Sequence, residues 1–212
     1  MKETLIPYST CERNMLLSHF KVHFSPIFYF ILPIYSLFQT PSILQIIQAL
    51  ILYSGIIPII LLCKHFKLSK NKTLIITLLY CLYPPLSCGT FYDFHENCFL
   101  LPLLLWVFYF FEKRNNKLLT ISTILTLMIK EDVFIYLIIF SLYIIISRKD
   151  YKTGFKIFSI SLLYFLVVSY LMDKYGLGIM SDRYENLIND NSGLIGAIKT
   201  IILNPGFALT QL

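Results

Sequence analysis

Long apolar runs, separated by short polar or charged stretches, recur along almost the whole chain. We interpret six of these runs as transmembrane helices, at residues 43–63, 73–86, 97–111, 117–130, 132–147 and 154–172. Pro58 predicts a kink in the first span, and Pro84-Pro85 ends the second, because proline removes a backbone donor and clashes one turn back. The pattern therefore predicts an all-α, polytopic membrane protein with a transmembrane bundle over residues 39–172.

The apolar run at residues 24–38 differs from the others because it is short and contains Pro33. About fifteen residues at 1.5 Å each cover only about 22 Å, less than the hydrocarbon core of about 30 Å. We therefore interpret this run as an interfacial or re-entrant helix, with a complete span as the alternative. A polar outer arm at residues 1–23 precedes it, and an outer juxtamembrane segment at 173–212 follows the last span.

Composition favours a membrane location over a soluble fold. The 212 residues are 57% hydrophobic and 14% charged, whereas a soluble domain carries about a quarter charged residues. The net charge is +6, but the basic residues lie in short loops between apolar runs, which indicates cytoplasmic loops and not nucleic-acid binding. Among the five cysteines, Cys88 and Cys98 flank the acidic stretch and could pair if that side is oxidising; buried free thiols are the favoured interpretation.

The basic loops also predict how the chain lies in the cell membrane. Placing the loops at 64–72, 112–117 and 148–156 inside puts most of the 18 lysines and arginines on the cytoplasmic side. The chain must leave and return between successive inner loops, so residues 93–96 and 130–132 lie outside. The ionisable residues expected on the outer face are His19, His23, Asp93, His95, Glu96, Lys130, Glu131, Asp132, Asp182 and Arg183.

The first candidate site is the polar stretch that carries Asp93, His95 and Glu96 between two apolar runs. Ionisable groups at a bilayer are costly and mark functional sites by default. Carboxylates together with an imidazole suit a divalent cation, so we expect these three residues to be metal ligands for Mn²⁺ or Mg²⁺. The alternative is that the carboxylates cap the helix that begins near Asn97.

The second candidate is Lys130-Glu131-Asp132, which consists of three ionised residues between two apolar runs. A solvated hairpin turn is the alternative. His19 and His23 are spaced i, i+4, which places both on one helical face and suits metal binding; a surface location is the alternative there. The sequence contains no Walker loop and no dinucleotide-binding glycine motif.

Three segments together resemble a bacterial family of predicted membrane proteins of unknown function. They are Ser18-His-Phe-Lys-Val-His-Phe-Ser-Pro-Ile27, Phe91-Tyr-Asp-Phe-His-Glu96 and Lys130-Glu-Asp132. That family is similar, more distantly, to the C-type-fold integral-membrane glycosyltransferases, which include the protein O-mannosyltransferases and the lipid A aminoarabinose transferase. The resemblance implies that the chain corresponds to the N-terminal part of this fold. It also implies a further span and acidic outer loop before Met1 and further spans after Leu212, so we expect a fragment.

The resemblance also implies an active site on the outer face, with a polyprenyl-phosphate sugar as donor and an envelope acceptor. Asp93 corresponds to an outer-loop aspartate, Lys130 to an outer-loop lysine, and His23 to the polar residue before a juxtamembrane helix. The residues expected to be catalytic are Asp93, Glu131 and Asp132, and those expected to bind substrate are His23, Lys130 and Arg183.

The function expected from these observations is a glycosyltransferase, or part of one, embedded in the lipid bilayer. Lys130 or a bound cation would neutralise the donor phosphate. The alternatives are a transporter or an envelope-assembly scaffold without catalysis, and a non-functional truncated chain. Charges within the spans would favour transport, whereas this chain places nearly all of its charges at span ends.

Overall fold

The computed structural model describes residues 8–9, 17–89, 94–175 and 199–210. Helices form nearly all of this part, which confirms the predicted all-α class. A pair of two-residue antiparallel strands, Tyr8–Ser9 and Leu17–Ser18, is the exception among these residues. The chain divides into two compact units, of which the larger is His23–Leu166 and the smaller combines Met1–Val22 with Val167–Leu212.

The helices follow one another closely along the chain. In order they are α1 (His19–Val22), α2 (Leu32–Leu37), α3 (Pro41–Ser54), α4 (Ile56–His65), α5 (Lys70–Cys81), α6 (Pro84–Gly89), α7 (Leu100–Glu112), α8 (Asn116–Leu127), α9 (Phe134–Ile146), α10 (Tyr151–Tyr175) and α11 (Pro205–Thr210). Short 3₁₀ helices lie at Pro26–Phe30 and Glu96–Phe99.

Two helical segments in the described residues are long and apolar enough to cross a bilayer. They are Pro41–His65, which α3 and α4 form together, and α10, and each contains 25 residues. At 1.5 Å per residue, each is about 37 Å long, enough for a hydrocarbon core of about 30 Å. Helices α5, α7, α8 and α9 contain 12 or 13 residues. The six spans expected from the sequence therefore stay a prediction.

The first of these segments is interrupted at Gly55. Helix α3 ends there because Pro58 has no N–H and cannot bond to the carbonyl of Ser54, one turn back. The Tyr80 hydroxyl of α5 donates a hydrogen bond of 2.6 Å to the carbonyl of Leu52 beside the interruption. A Cβ atom on Gly55 would lie 2.7 Å from Cζ of Tyr80. A glycine is therefore needed for this close approach of α5.

Helices α7, α8, α9 and α10 pack around the main core of the larger unit. Val107, Leu127, Leu137, Ile144 and Ile157 form its centre, and each is at most 2% exposed. Outside this core the helices carry large apolar side chains on their exteriors, as lipid contact would require. The most exposed of these, each above 60%, include Leu50, Leu79, Ile139, Ile146 and Leu163.

The apolar run at 24–38 forms the 3₁₀ helix Pro26–Phe30 and helix α2, which meet at Ile31. Neither helix exceeds six residues. The interfacial location expected for this run stays a prediction.

Three loops of the larger unit contain a basic residue in the left-handed region of backbone space. These residues are Lys67 with φ 54°, Arg114 with φ 53° and Lys149 with φ 53°, and they follow α4, α7 and α9. Backbone bonds from Leu68 N–H to the Cys63 carbonyl and from Asn115 N–H to the Phe110 carbonyl close the first two turns. Left-handed residues of this kind commonly end helices, and glycine is usually found there.

Candidate functional site

The segment after α1 is bonded to the turn between α8 and α9. His23 Nδ1 lies 2.8 Å from Oε1 of Glu131, and the backbone N–H of Phe24 donates to Oε2 of the same side chain at 3.0 Å. The N–H of Ile27 donates to the Met128 carbonyl at 2.9 Å. Two motifs that lie 108 residues apart in the sequence, around His23 and Glu131, therefore form one structure.

The turn between α8 and α9 is buried. Helix α8 ends at Leu127 and α9 begins at Phe134, so the chain breaks where Lys130-Glu131-Asp132 was expected to separate two helices. Ile129 and Val133 anchor the turn, with exposures of 0% and 1%. Lys130 is 5% exposed and Glu131 is 1% exposed. The solvated hairpin tip, which was the alternative interpretation, is therefore wrong for these two side chains.

The pKa values of the two carboxyl groups in this turn are shifted in opposite directions. Burial alone would raise the pKa of Glu131, but the hydrogen bond and charge of His23, with the N–H of Phe24, lower it below the ordinary value. Burial raises the pKa of Asp132, and the neighbouring charge of Glu131 adds to this effect, while Lys130 partly opposes it. Glu131 is thus held as a carboxylate, whereas Asp132 is a stronger base than an ordinary aspartate.

Lys130 extends from the same turn to a second buried carboxylate. Its Nζ lies 3.6 Å from Oε1 of Glu96, and the two side chains are 6% and 3% exposed. This distance is that of an ion pair and exceeds a hydrogen bond. Within the described residues, Oε1 of Glu96 accepts no hydrogen bond. The lysine ammonium is therefore close to a compensating charge and still has donors to offer.

His95 and Gln48 position this second carboxylate. The backbone N–H of His95 donates to Oε1 of Gln48 on α3 at 2.9 Å, and Gln48 is 2% exposed. His95 Nδ1 lies 3.3 Å from Oε2 of Glu96 and also 3.3 Å from the N–H of Asn97. A protonated Nδ1 donates to the carboxylate, whereas an unprotonated one accepts from Asn97. Which of the two contacts forms therefore depends on whether Nδ1 carries a hydrogen, which in the neutral ring is a matter of tautomer.

Cys98 lies two residues after Glu96 in the same short helix and is a free thiol with 5% exposure. A buried free thiol of this kind behaves as a small apolar side chain. This agrees with the favoured expectation of buried free cysteines.

We call the residues that meet here the Lys130 site. Its members are His23, Gln48, His95, Glu96, Lys130 and Glu131. The sequence pointed to all of them except Gln48, which is one of two uncharged amides, with Gln45, in a strongly apolar run. Asp132 follows directly on the same turn.

The structure does not test several residues and roles that the sequence predicted. Asp93 and Arg183 lie outside the described residues. Within the described part of the chain, no three His, Cys, Asp or Glu side chains are arranged to hold a metal ion. The cation site expected at Asp93, His95 and Glu96 therefore stays a prediction, as do the catalytic and substrate-binding assignments.

A second charged cluster lies at the opposite end of α7. The two terminal guanidinium nitrogens of Arg148, Nη1 and Nη2, donate to the Glu112 carboxylate at 2.8 Å and 3.1 Å. His65 Nε2 lies 4.0 Å from the same carboxylate. The Arg148 guanidinium also stands over the ring of Phe111, 5.3 Å from its centre. This cluster joins the ends of α4, α7 and α9, and we call it the Glu112 cluster.

Comparison with known proteins identifies one family. The model of the family described as "Predicted membrane protein (DUF2079)" matches residues 5–212. No curated protein and no solved structure matches the chain. The family agrees with the resemblance that the motifs around His23, His95 and Lys130 indicated, while the more distant likeness to glycosyltransferases stays a prediction. Since the match covers nearly the whole sequence, the chain belongs to the DUF2079 family of predicted membrane proteins.

Proposed function

We propose that the Lys130 site binds the phosphate of a polyprenyl-phosphate sugar on the outer face of the cell membrane. The protein, or a longer assembly of which it is part, would then transfer the sugar to an envelope acceptor. Six transmembrane helices and an outward-facing Lys130 site are part of this proposal.

The observation that carries the proposal is the setting of Lys130. Its side chain is 6% exposed and its carboxylate partner, Glu96, stays at 3.6 Å. A buried ammonium without good hydrogen bonds is costly to maintain. An incoming phosphate would supply strong acceptor oxygens to this ammonium, and charge-assisted hydrogen bonds are the strong ones.

The neighbouring carboxylates have separate roles in this proposal. Both oxygens of Glu131 are engaged, one by His23 and one by the N–H of Phe24. Glu131 therefore suits the positioning of the turn that carries Lys130 better than proton transfer. Asp132, with its raised pKa, and Asp93 are the groups proposed to act as base.

The reaction would proceed by displacement at the sugar. The acceptor oxygen attacks the anomeric carbon, the bond from that carbon to the phosphate oxygen breaks, and the polyprenyl phosphate leaves with the bonding electrons. The acceptor proton passes to Asp93 or Asp132. Lys130 stabilises the negative charge on the leaving phosphate, which is the main electrostatic requirement. A divalent cation held at Asp93, His95 and Glu96 would add to that stabilisation, and Asp132 would then be the group that accepts the proton.

The distribution of charge favours this proposal over transport. In the described residues, the Pro41–His65 segment carries its charged groups only at its last two positions, Lys64 and His65. Transport pathways are marked by ionisable residues within the membrane. The buried charges of the larger unit instead lie at helix ends, where they can meet a lipid headgroup.

The proposal is tested by binding of undecaprenyl phosphate to the chain in lipid nanodiscs. We expect Lys130→Gln to weaken binding by about tenfold or more, because it removes the charge-assisted bonds. Lys117→Gln serves as the matched control, since Lys117 is an exposed lysine in the first turn of α8, at the opposite end of that helix from the Lys130 turn. Thermal unfolding of each variant shows whether it is folded.

Equal binding by both variants, with Lys130→Gln folded, would overturn the phosphate assignment. Binding that is retained by Lys130→Arg and lost in Lys130→Gln would support it, because arginine keeps the charge. Release of sugar from polyprenyl-phosphate mannose, abolished in Asp93→Ala or Asp132→Ala while lipid binding persists, would support the transferase step.

A further inference from the structure

An apolar groove lies between α7 and α9 of the larger unit. Its walls include Leu104, Val107 and Phe108 from α7 and Ile139, Phe140 and Tyr143 from α9, and it encloses about 310 Å³. Phe108 and Phe140 pack edge to face across it, with ring centres 6.2 Å apart. The groove offers almost no polar surface, so it is unsuited to a headgroup or a sugar.

The groove begins close to the Lys130 site. Helix α7 starts at Leu100, directly after the short helix that carries Glu96, and α9 starts at Phe134, directly after the turn that carries Lys130. Leu104 lies four residues into α7, which is about 6 Å along the helix axis. Tyr143 lies nine residues into α9, which is about 14 Å along its axis. The groove therefore runs from about one turn beyond the Lys130 site towards the Glu112 cluster.

We propose that this groove binds the first isoprene units of the polyprenyl chain whose phosphate is held by Lys130. This inference rests on the proposed function and adds the part of the ligand that gives specificity. Because α7 and α9 both begin beside the Lys130 site, an anionic lipid with its phosphate at Lys130 would have the start of the groove within about one helical turn. The lining is apolar and aromatic throughout, as an unsaturated, methyl-branched hydrocarbon requires.

The groove has the size of a short hydrocarbon segment. A volume of 310 Å³ accommodates about ten water-sized groups, which corresponds to about two five-carbon isoprene units. The outer wall is accessible from the surface, since Ile139 is 61% exposed and Tyr136 is 50% exposed. A lipid chain can therefore enter sideways from the bilayer.

The test compares two tryptophan substitutions on α9. Ile139→Trp fills the groove, and Leu142→Trp adds the same bulk at a position that is 42% exposed and does not line it. Undecaprenyl phosphate, ethyl phosphate and dioleoyl phosphatidic acid are the probes, and nanodisc binding is measured for each. We expect Ile139→Trp to weaken undecaprenyl phosphate by about tenfold or more, because several buried methylenes are displaced. Ethyl phosphate binding should be unchanged, and Leu142→Trp should match the wild type.

A second variant protects the result against a folding defect. Ile139→Asn keeps the side chain similar in size but makes the wall polar, so it should also weaken undecaprenyl phosphate. If both Ile139 variants bind undecaprenyl phosphate like the wild type while Lys130→Gln does not, the groove assignment is wrong and the phosphate site stands. If the wild type binds no polyprenyl phosphate, the proposed function and the groove assignment both fail.

Two other results would assign the groove to a different occupant. Equal weakening of dioleoyl phosphatidic acid by Ile139→Trp would make the groove a general acyl-chain site and overturn the polyprenyl assignment. A change of oligomeric state in Ile139→Trp, without a change in lipid binding, would assign the groove to contact between copies of the chain.

Discussion

The two ends of α7 carry charged clusters of opposite character. At its beginning, the Lys130 site holds its ions in the interior, with Glu96, Lys130 and Glu131 each at most 6% exposed. At its end, the Glu112 cluster pairs one shielded carboxylate with Arg148, whose side chain is 41% exposed. The loops around Glu112 also carry many exposed lysines, whereas few exposed lysines surround the Lys130 site.

The difference separates a specific site from a generally basic surface. Exposed ion pairs contribute about 1 kcal/mol or less, because water and salt screen them. Buried charges demand partners in fixed positions, and each lost partner is costly. The Lys130 site therefore has a defined geometry that a ligand can recognise. The Glu112 end has the diffuse positive charge that is typical of cytoplasmic loops.

The largest predicted effect is on stability, where removing Glu131 should cost more than removing Glu112. Glu131→Ala removes the partner of His23 and the acceptor for Phe24 N–H, and we expect it to destabilise the fold by about 3 kcal/mol. Glu112→Ala should cost only about 1 kcal/mol, because its main partner is exposed. Chemical unfolding in nanodiscs or mild detergent measures both. A larger loss for Glu112→Ala would reverse the comparison.

A smaller effect is expected from pH within the Lys130 site itself. The pKa of Glu131 is lowered below its ordinary value of 4.5, so its contribution to stability is present above that value and lost as pH falls through the folded-state pKa. The pKa of Asp132 is raised above 3.8, so its contribution is present when it is protonated and lost as pH rises.

Because the two pKa shifts have opposite signs, neutral substitutions of Glu131 and Asp132 should have opposite effects on stability. At about pH 7, Glu131→Gln should lower the unfolding temperature and Asp132→Asn should raise it. The deficit of Glu131→Gln should shrink as the pH falls through the folded-state pKa of Glu131, which lies below 4.5. Thermal unfolding across this range measures both, and a deficit that persists unchanged in acid would show that the charge of Glu131 is not what stabilises the turn.

The smallest predicted effect concerns the backbone at the Glu112 end. Arg114 has φ 53°, a conformation that costs a residue with a Cβ about 1–2 kcal/mol. Arg114→Gly relieves that cost but adds freedom to the unfolded chain, so a net stabilisation of about 0.5 kcal/mol is expected. Lys113→Gly is the control, because Lys113 has φ −76° and gains nothing. Destabilisation by both substitutions to the same extent would refute the prediction.

The sequence predicted the helical class and the residues that matter most in the Lys130 site. Charges are rare in this chain, so the stretch with His95 and Glu96 and the turn with Lys130 and Glu131 were conspicuous. The buried state of that turn was not predictable, because three consecutive ionised residues resemble a solvated tip. The burial results from Ile129 and Val133, which pin the turn into the core.

The pairing of partners was also beyond the sequence. His23 and Glu131 are 108 residues apart, and which charges meet depends on how helices pack. Gln48 was missed because an uncharged amide in an apolar run carries a weak signal. Helix lengths were the least predictable feature. Gly55 and Pro58 divide one expected span, whereas several other expected spans form helices of 12 or 13 residues.

Whether Lys130 binds a lipid phosphate can be measured by phosphorus NMR of undecaprenyl phosphate in nanodiscs that contain the protein. We expect a distinct bound phosphate resonance with the wild type and with Lys117→Gln, and its loss with folded Lys130→Gln. A bound resonance that persists unchanged in Lys130→Gln would show that Lys130 is only a structural partner of Glu96.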